Sequence, residues 1–239
     1  MIRPITCVFN VQAASSLTFR GDSAPLTFDE VLSQFKRDGC SLLITGEVSP
    51  DVTAMATRRF LGAPFEDRKR ILVLADTDAR AARAHLPGGC HPEGDDVTII
   101  ERETISRSAS TRDSTSDPPT VTVDGSLATL GEEIVAAIDA YEAEGLDPAE
   151  LRLALNSLYP LLADNDYTTV VRFIREVSEA VEAVDGMSHY HLPAPEGSAL
   201  VESVGTLFDA RVELRRNGPD AEQRWHIPTY GQETNWVSL

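Results

Sequence analysis

The stretch LLITGEVSPDVTAMATRRFLG, residues 42–62, joins an apolar segment to an amphipathic one through a glycine turn. The apolar segment predicts a buried strand, and Ser49, Pro50 and Asp51 have the order of an N-cap, a first helical residue and a first-turn acid. In nucleotide-binding α/β proteins such a unit carries the pattern G-x-x-x-x-G-K-[ST], which cradles phosphate. Here Gly46 is the glycine of the turn, and residues 42–62 contain no lysine. The stretch therefore predicts a strand that turns into a helix at a place where a phosphate site could lie.

Strands and helices alternate along the rest of the chain. Continuous apolar runs predict buried strands, and apolar residues three and four apart predict helices. The predicted helices are 26–39, 51–62, 78–86, 127–145, 166–186 and 197–208. The predicted strands are 41–45, 71–76, 97–102, 151–158 and 187–193, followed by a hairpin of 210–216 and 223–228. This order predicts an α/β fold with a mainly parallel sheet covered on both faces and an antiparallel pair at its C-terminal edge.

The charge balance is strongly acidic. The chain has 38 Asp and Glu against 21 Lys and Arg, for a net charge of −17, and its only lysines are Lys36 and Lys69. Such a field repels DNA and anionic membranes, so neither is an expected partner. A lysine-poor acidic surface suits molar salt, in which carboxylate repulsion is screened within about 3 Å. We therefore expect the cytoplasm of a haloarchaeon as the setting.

The sequence predicts one main domain, residues 28–239, after an N-terminal extension of residues 1–27. Three cysteines without paired spacing indicate neither a disulfide framework nor a zinc site, and no apolar run is long enough to span a membrane. The polar segment 103–120 is rich in Ser and Thr, and we expect it to be a flexible surface loop. The composition thus favours a soluble protein of the cell interior.

The second half of the chain resembles a known family. The runs LRLALNSLYPLLADNDYTTVVRFIREVSEAV (151–181), MSHYHLP (187–193) and LFDARVELR (207–215) resemble the Walker B strand, the following helix, the next strand and the edge hairpin of RecA/KaiC-like ATPases. From about residue 28 to 239 the chain looks like a haloarchaeal group of degenerate KaiC-like proteins, with a similar LLxTGEV turn and RWHIP segment. The resemblance implies a RecA-like three-layer sandwich within the P-loop ATPase superfamily.

The same resemblance implies where an ATP site would lie. Active relatives are expected to have a lysine after the first strand and a magnesium-binding aspartate at the end of the strand that here reads LALNSL; Asn156 stands at that position. A neutral amide offers the cation only one carbonyl oxygen. After Gly46, Glu47 and Asp51 would repel phosphate, and a proline removes a backbone donor. The degenerate phosphate-loop positions are Gly46, Glu47, Ser49 and Asp51, with Asn156 as the degenerate Walker B position.

Simpler interpretations of the same residues remain open. A glycine followed by Ser49, Pro50 and Asp51 is ordinary helix initiation and needs no ligand. His189 and His191 point to one face of a strand, as a metal pair would, but no third ligand accompanies them, which favours two hydrogen-bonded strand histidines. The sequence predicts no catalytic residue, no metal and no cofactor.

Two functions from different classes are compatible with these patterns. The first is a non-catalytic RecA/KaiC-like module that acts through a protein partner, in signalling or regulation; the sequence specifies neither the partner nor an oligomeric state. The second is a nucleotide-binding switch or ATPase with an unorthodox phosphate site, in which Arg58 or Arg59 replaces the lysine. Both arginines lie about two turns into the predicted helix, so the first hypothesis is favoured.

Overall fold

The structure is a computed structural model that describes residues 27–77, 79–103 and 120–239. The predicted N-terminal extension and nearly all of the predicted loop 103–120 lie outside these residues. The helices are α1 Phe28–Asp38, α2 Pro50–Phe60, α3 Ala82–His85, α4 Leu127–Glu144, α5 Tyr159–Asp164, α6 Tyr167–Ala183 and α7 Ala199–Gly205. The strands are β1 Cys40–Thr45, β2 Lys69–Leu74, β3 Val97–Arg102, β4 Val121–Val123, β5 Leu151–Leu155, β6 Met187–Leu192, β7 Ala210–Asn217, β8 Asp220–Ile227, β9 Gln232–Glu233 and β10 Val237–Ser238.

The strands form one sheet in the order β10-β8-β7-β1-β6-β5-β2-β3-β4, with β9 paired to β8. Every pair from β7 to β4 is parallel, whereas β8 runs antiparallel to β7, β9 and β10. The predicted fold class, a mainly parallel sheet with an antiparallel C-terminal edge, is confirmed. β1 lies between β6 and β7, so the first strand of the sheet in sequence occupies a central position.

Alternating residues of each strand supply the cores on the two faces of the sheet. On β1, Leu43 belongs to the core beneath α4 and α6, while Leu42 and Ile44 belong to the core beneath α1 and α2. A smaller cluster that includes Leu72 and Leu74 of β2 contacts α3. Because helices cover both faces, the sheet is the middle layer of a three-layer sandwich.

Local capping determines where several helices begin. The Thr27 side chain and Glu30 form a capping box at α1, and Asp166 accepts from the Thr169 amide at the start of α6. Ser49 is the N-cap of α2 and Pro50 its first residue, as the sequence predicts. In the described part of the chain, no helix is long and apolar enough to cross a membrane.

Several predicted boundaries differ from the observed ones. β5 ends at Leu155 rather than 158, because the Ala75 N–H of the neighbouring strand end bonds to the Asn156 side chain instead of to a backbone carbonyl, and the chain then turns into α5, which has Pro160 in its first turn. α6 ends at Ala183 rather than 186. The hairpin strands extend to Asn217 and from Asp220, which leaves a two-residue turn instead of the predicted six-residue connection.

Candidate functional site: a cleft at the carboxyl edge of the sheet

A cleft of about 220 Å³ opens where β1, β2, β5 and β6 end. In open α/β sheets, ligands bind outside the carboxyl ends of the strands, so this is the expected position of a site. The lining combines hydroxyl, amide, imidazole and carboxylate groups with an apolar wall. The residues are Ile44, Thr45, Gly46, Val48, Pro50, Thr53, Asp76, Thr77, His85, Asn156, Ser157, His191, Pro193 and Leu214.

The turn at Gly46 packs against β7. Gly46 has a φ of +112°, and a Cβ there would lie 2.2 Å from the Leu214 carbonyl oxygen, so only glycine fits. Its N–H donates to the Ala194 carbonyl at 2.9 Å, and the Val48 N–H donates to the Gly46 carbonyl at 3.1 Å. A phosphate cradle needs such N–H groups directed at the ligand. In this turn two of them are bonded within the protein.

The spacing after Gly46 assigns the remaining positions of the phosphate pattern. When Gly46 is the first glycine, Asp51 stands at the second glycine, Val52 at the lysine and Thr53 at the hydroxyl position. Val52 is fully buried in the core beneath α1 and α2, whereas Thr53 lines the cleft. The sequence analysis missed Thr53, although this eight-residue spacing contains the signal for it.

Three of the predicted phosphate-loop residues lie outside the cleft lining. Glu47, Ser49 and Asp51 are exposed. Asp51 pairs with Arg216 at 2.5 Å, and a hydrogen bond with Ser49 together with that guanidinium lowers its pKa from the ordinary value. Only Gly46 of the four lines the cleft, so the structure does not bring the predicted loop positions together around a ligand.

Asn156 joins the ends of two neighbouring strands. Its Oδ1 accepts from the Ala75 amide at 2.7 Å, and its Nδ2 donates to Asp76 Oδ1 at 2.5 Å and to Thr77 Oγ1 at 2.9 Å. The side chain is almost fully buried. An aspartate has the same shape but cannot donate while ionised. The side-chain amide of Asn156 therefore holds the Asp76 carboxylate in place. An ionised aspartate at position 156 would repel Asp76 instead.

Asp76, Thr77, His85 and Ser157 are lining residues that the sequence analysis did not single out. Asp76 and Thr77 directly follow β2, and Ser157 lies just after β5. Polar residues immediately after buried parallel strands are the available signal, since those ends meet at one edge of the sheet. His85 at the end of α3 carries no comparable signal in the sequence.

Three histidines lie beneath or beside α2. His191 Nε2 is 3.1 Å from Thr57 Oγ1, and because the Thr57 hydroxyl donates to the Thr53 carbonyl, the proton of this contact belongs to the imidazole. Burial and the nearby His85 lower the pKa of His191 to about 3. Burial, reinforced by His191, also lowers the pKa of His189 well below its ordinary value. Buried imidazoles of this kind are neutral at physiological pH.

The two strand histidines differ in their contacts. Within the described structure His189 Nε2 has no hydrogen-bond partner, and its ring packs 5.5 Å from Phe60 and 5.5 Å from His191. His189 has a hydrogen bond with the Leu153 backbone and His191 one with Thr57, so the expectation of two hydrogen-bonded histidines is confirmed. Across the described residues, no group of three His, Cys, Asp or Glu is placed to hold a metal.

Neither arginine of the alternative hypothesis lines the cleft. Arg58 and Arg59 lie in the last turn of α2, and Arg58 donates to the Ala84 carbonyl. Of the described lining residues, none is a lysine or an arginine. The cleft therefore offers hydroxyls and a carboxylate where a triphosphate requires cations.

The strand order and the helices on both faces define a RecA-like α/β protein. The crystal structure of a KaiC-like protein from the hyperthermophilic archaeon Pyrococcus horikoshii is similar to this chain, with a TM-score of 0.51 and 12% sequence identity. The match covers 80% of this chain and 78% of that one, and it supports the expected RecA/KaiC-like fold. Residues 39–214 match DUF7504, a family of unknown function, and the chain belongs to this family. No curated protein matches it significantly.

Proposed function

We propose that this chain is a degenerate RecA/KaiC-like module that neither binds nor hydrolyses ATP and that acts by binding a protein partner, in signalling or regulation. The observation that carries the proposal is the burial of Val52 at the lysine position of the phosphate pattern. Two further observations support it. The backbone N–H of Gly46 donates to the Ala194 carbonyl, and the side-chain amide of Asn156 is hydrogen-bonded to Ala75 and Asp76. Each of these groups is bonded or packed within the protein rather than directed at a nucleotide.

We place this module in the high-salt cytoplasm of a haloarchaeal cell. The net charge of −17 supports this setting, because carboxylate repulsion is tolerable only where salt screens it. The same charge argues against nucleic acid and anionic membranes as partners. A protein partner with a basic surface would be attracted by the field of this chain.

Calorimetric titration of Mg-ATP into the protein at high KCl tests the negative half of the proposal, with phosphate release assayed in parallel. We expect no saturable heat and no phosphate release, because losing two charge-assisted contacts weakens binding by several powers of ten. Micromolar affinity would refute the proposal. If heat is observed, the Thr53→Val variant shows whether the cleft is the site, since it removes the lining hydroxyl while keeping the side-chain shape.

The partner requires a separate experiment. The tagged chain is purified from its host at high KCl, and any co-purifying protein is produced separately and mixed with the pure chain in analytical ultracentrifugation. Formation of a defined complex from the two pure components supports the proposal. A chain that sediments alone in the presence of every co-purified candidate argues against it.

A nucleotide-binding switch is the second candidate. It is favoured by Thr53, which lines the cleft at the hydroxyl position of the pattern. It is disfavoured by the position of Arg58, about 12 Å along α2 from Pro50, at 1.5 Å per residue. The titration above separates the two candidates, because a switch must bind nucleotide even when it hydrolyses none.

A further inference from the structure

The cleft remains open and polar although it lacks the groups that bind phosphate. Its volume of about 220 Å³ is below the range of roughly 300–1,000 Å³ found for drug-sized ligands, so a small molecule fits better than a nucleotide. One wall is apolar and includes Val48, Pro193 and Leu214. Asp76 and Thr77 follow β2, which β5 separates from β6, and His85 ends α3. A ligand with one polar end and a short carbon skeleton matches this division.

Among the described residues that line the cleft, the formal charge has one sign. Asp76 is the single carboxylate among the described lining residues, and no described lining residue is a cation. Glu47 is exposed just beyond Gly46, which adds a second negative charge near the turn. A carboxylate attracts a cation and repels an anion. The electrostatics therefore select a positively charged ligand.

Asp76 is also oriented for binding. Asn156 donates to one of its oxygens at 2.5 Å, and the same amide donates to Thr77 Oγ1 at 2.9 Å. Such a support fixes the carboxylate before a ligand arrives, which lowers the entropic cost of binding. The Asn156 contact thus explains why an amide is suited to this position in a cleft without phosphate.

His85 supplies an additional polar group. Its Nδ1 is buried, and within the described structure it has no hydrogen-bond partner. His85 and Asp76 line the same cleft; burial lowers the pKa of His85, and the Asp76 carboxylate acts in the opposite direction. A buried ring nitrogen without a partner costs free energy unless a ligand or water bonds to it. A neutral imidazole beside a carboxylate can accept one proton of an ammonium group while the carboxylate accepts another.

We propose that this cleft binds a small organic cation, a protonated amine or guanidinium on a short apolar chain, with Asp76 as the anionic contact. Asn156 orients Asp76, Thr77 and His85 offer further hydrogen bonds, and the wall formed by Val48, Pro193 and Leu214 contacts the carbon chain. The binding is non-covalent, and it does not depend on the protein partner proposed above.

Calorimetry and saturation-transfer NMR with n-butylammonium and agmatine test the proposal, with butyrate and n-butanol as matched anionic and neutral probes. The titrations are performed at about 1 M KCl, where a screening length of about 3 Å suppresses non-specific attraction to the acidic surface. We expect dissociation constants of about 1 mM or tighter for the cations and weaker binding of butyrate and n-butanol. Equal binding of butyrate, or no binding of either cation, overturns the proposal.

The Asp76→Asn variant locates the site. Its side-chain oxygen can still accept from Asn156, so the contact that joins the strands can be kept while the charge is lost. We expect the affinity for both cations to fall about tenfold or more. Asp51→Asn is the matched control, because it removes one charge from an exposed residue outside the lining and is expected to bind the cations as the wild type does.

Unchanged affinity in Asp76→Asn, or an equal loss in Asp51→Asn, contradicts the assignment. Circular dichroism melts establish that both variants are folded. If Asp76→Asn does not fold, the isosteric Thr77→Val variant replaces it, with an expected loss of cation affinity of about threefold or more. A folded Thr77→Val variant with unchanged affinity would then overturn the proposal.

Discussion

Acidification should destabilise this protein through its two buried strand histidines. His189 and His191 are only 2% and 3% exposed, and their rings lie 5.5 Å apart. Protonating either one places a charge in the apolar core under α2, and protonating both places two like charges side by side. The folded state therefore resists protonation that the unfolded chain accepts freely.

The direction of the effect follows from the lowered pKa values. Burial lowers the pKa of His191 from 6.5 to about 3, and it lowers the pKa of His189 well below 6.5. Above pH 6.5 both states are neutral and these histidines leave stability unchanged. Below it the unfolded state gains protons first, so stability falls by about 1.4 kcal/mol per pH unit for each histidine until the folded pKa is reached. At about pH 5 the loss is about 2 kcal/mol for each histidine and about 4 kcal/mol for the pair.

Urea unfolding at high KCl, followed by tryptophan fluorescence, measures this loss. Trp225 is almost fully buried beside Phe28 and Phe60 and reports on the same core. We expect His189→Leu to lose about half of the pH dependence between pH 7 and about pH 5, because one titrating group is removed. The matched control is His91→Gln, which removes an exposed histidine and should leave the pH dependence unchanged.

Two results would refute this reasoning. If the free energy of unfolding is the same at pH 7 and about pH 5, the histidines are protonated in the folded state or are solvated. If His189→Leu is as sensitive to pH as the wild type, the loss arises elsewhere, for example from carboxylates. Carboxylates such as Asp51 and Asp166 are a weak alternative, because their pKa values are lowered from 3.8 and they stay ionised between pH 7 and about pH 5.

Three further predictions concern the turn, the strand ends and the surface. Gly46→Ala should lower the free energy of unfolding by about 2–5 kcal/mol in chemical denaturation, because its Cβ meets the Leu214 carbonyl at a positive φ; Gly88→Ala, which has open space, should be neutral. Asn156→Asp should lower the free energy of unfolding by about 2–4 kcal/mol at neutral pH, with partial recovery in acid. It should produce no Mg-ATP binding in calorimetry. A variant as stable as the wild type would contradict the observed bonds to Asp76 and Thr77. Lowering KCl from about 1 M to about 0.1 M lengthens screening from about 3 to about 10 Å and should lower the thermal midpoint; an unchanged midpoint would mean that the acidic surface does not limit stability.

Most of the fold could be predicted because its signals are local. β3 was predicted with the observed bounds, since VTIIER is an apolar run between turn residues. α6 carries apolar residues at spacings of four and three, and Asp166 caps it. The predicted strand 151–158 continued three residues beyond β5, because Leu158 extends the apolar pattern, and α5 was not predicted. Pro160 was the signal that a helix begins there, since proline is favoured in a first turn.

The site could be predicted as a position but not as a set of contacts. Gly46 was identified from the turn after its strand, and Asn156 from the resemblance to RecA/KaiC-like ATPases. Their roles depend on register: Thr45 pairs with Glu213, which places Gly46 against Leu214, and Leu155 pairs with Val73, which places Asn156 beside Ala75 and Asp76. The residues in each contact are about 80 to 170 positions apart, so no local pattern specifies them.

Burial of Val52 is incompatible with a lysine at the same position. α2 begins at Pro50, and this start turns Val52 into a core that also contains Ile44, Phe60 and Trp225. A lysine at position 52 would bring an ammonium into that core, at a desolvation cost of several kcal/mol that exceeds the gain from one phosphate contact. The helix would have to rotate or shift, and Phe60 would then leave its contact with Trp225. A lysine at position 52 therefore requires α2 to repack against the sheet.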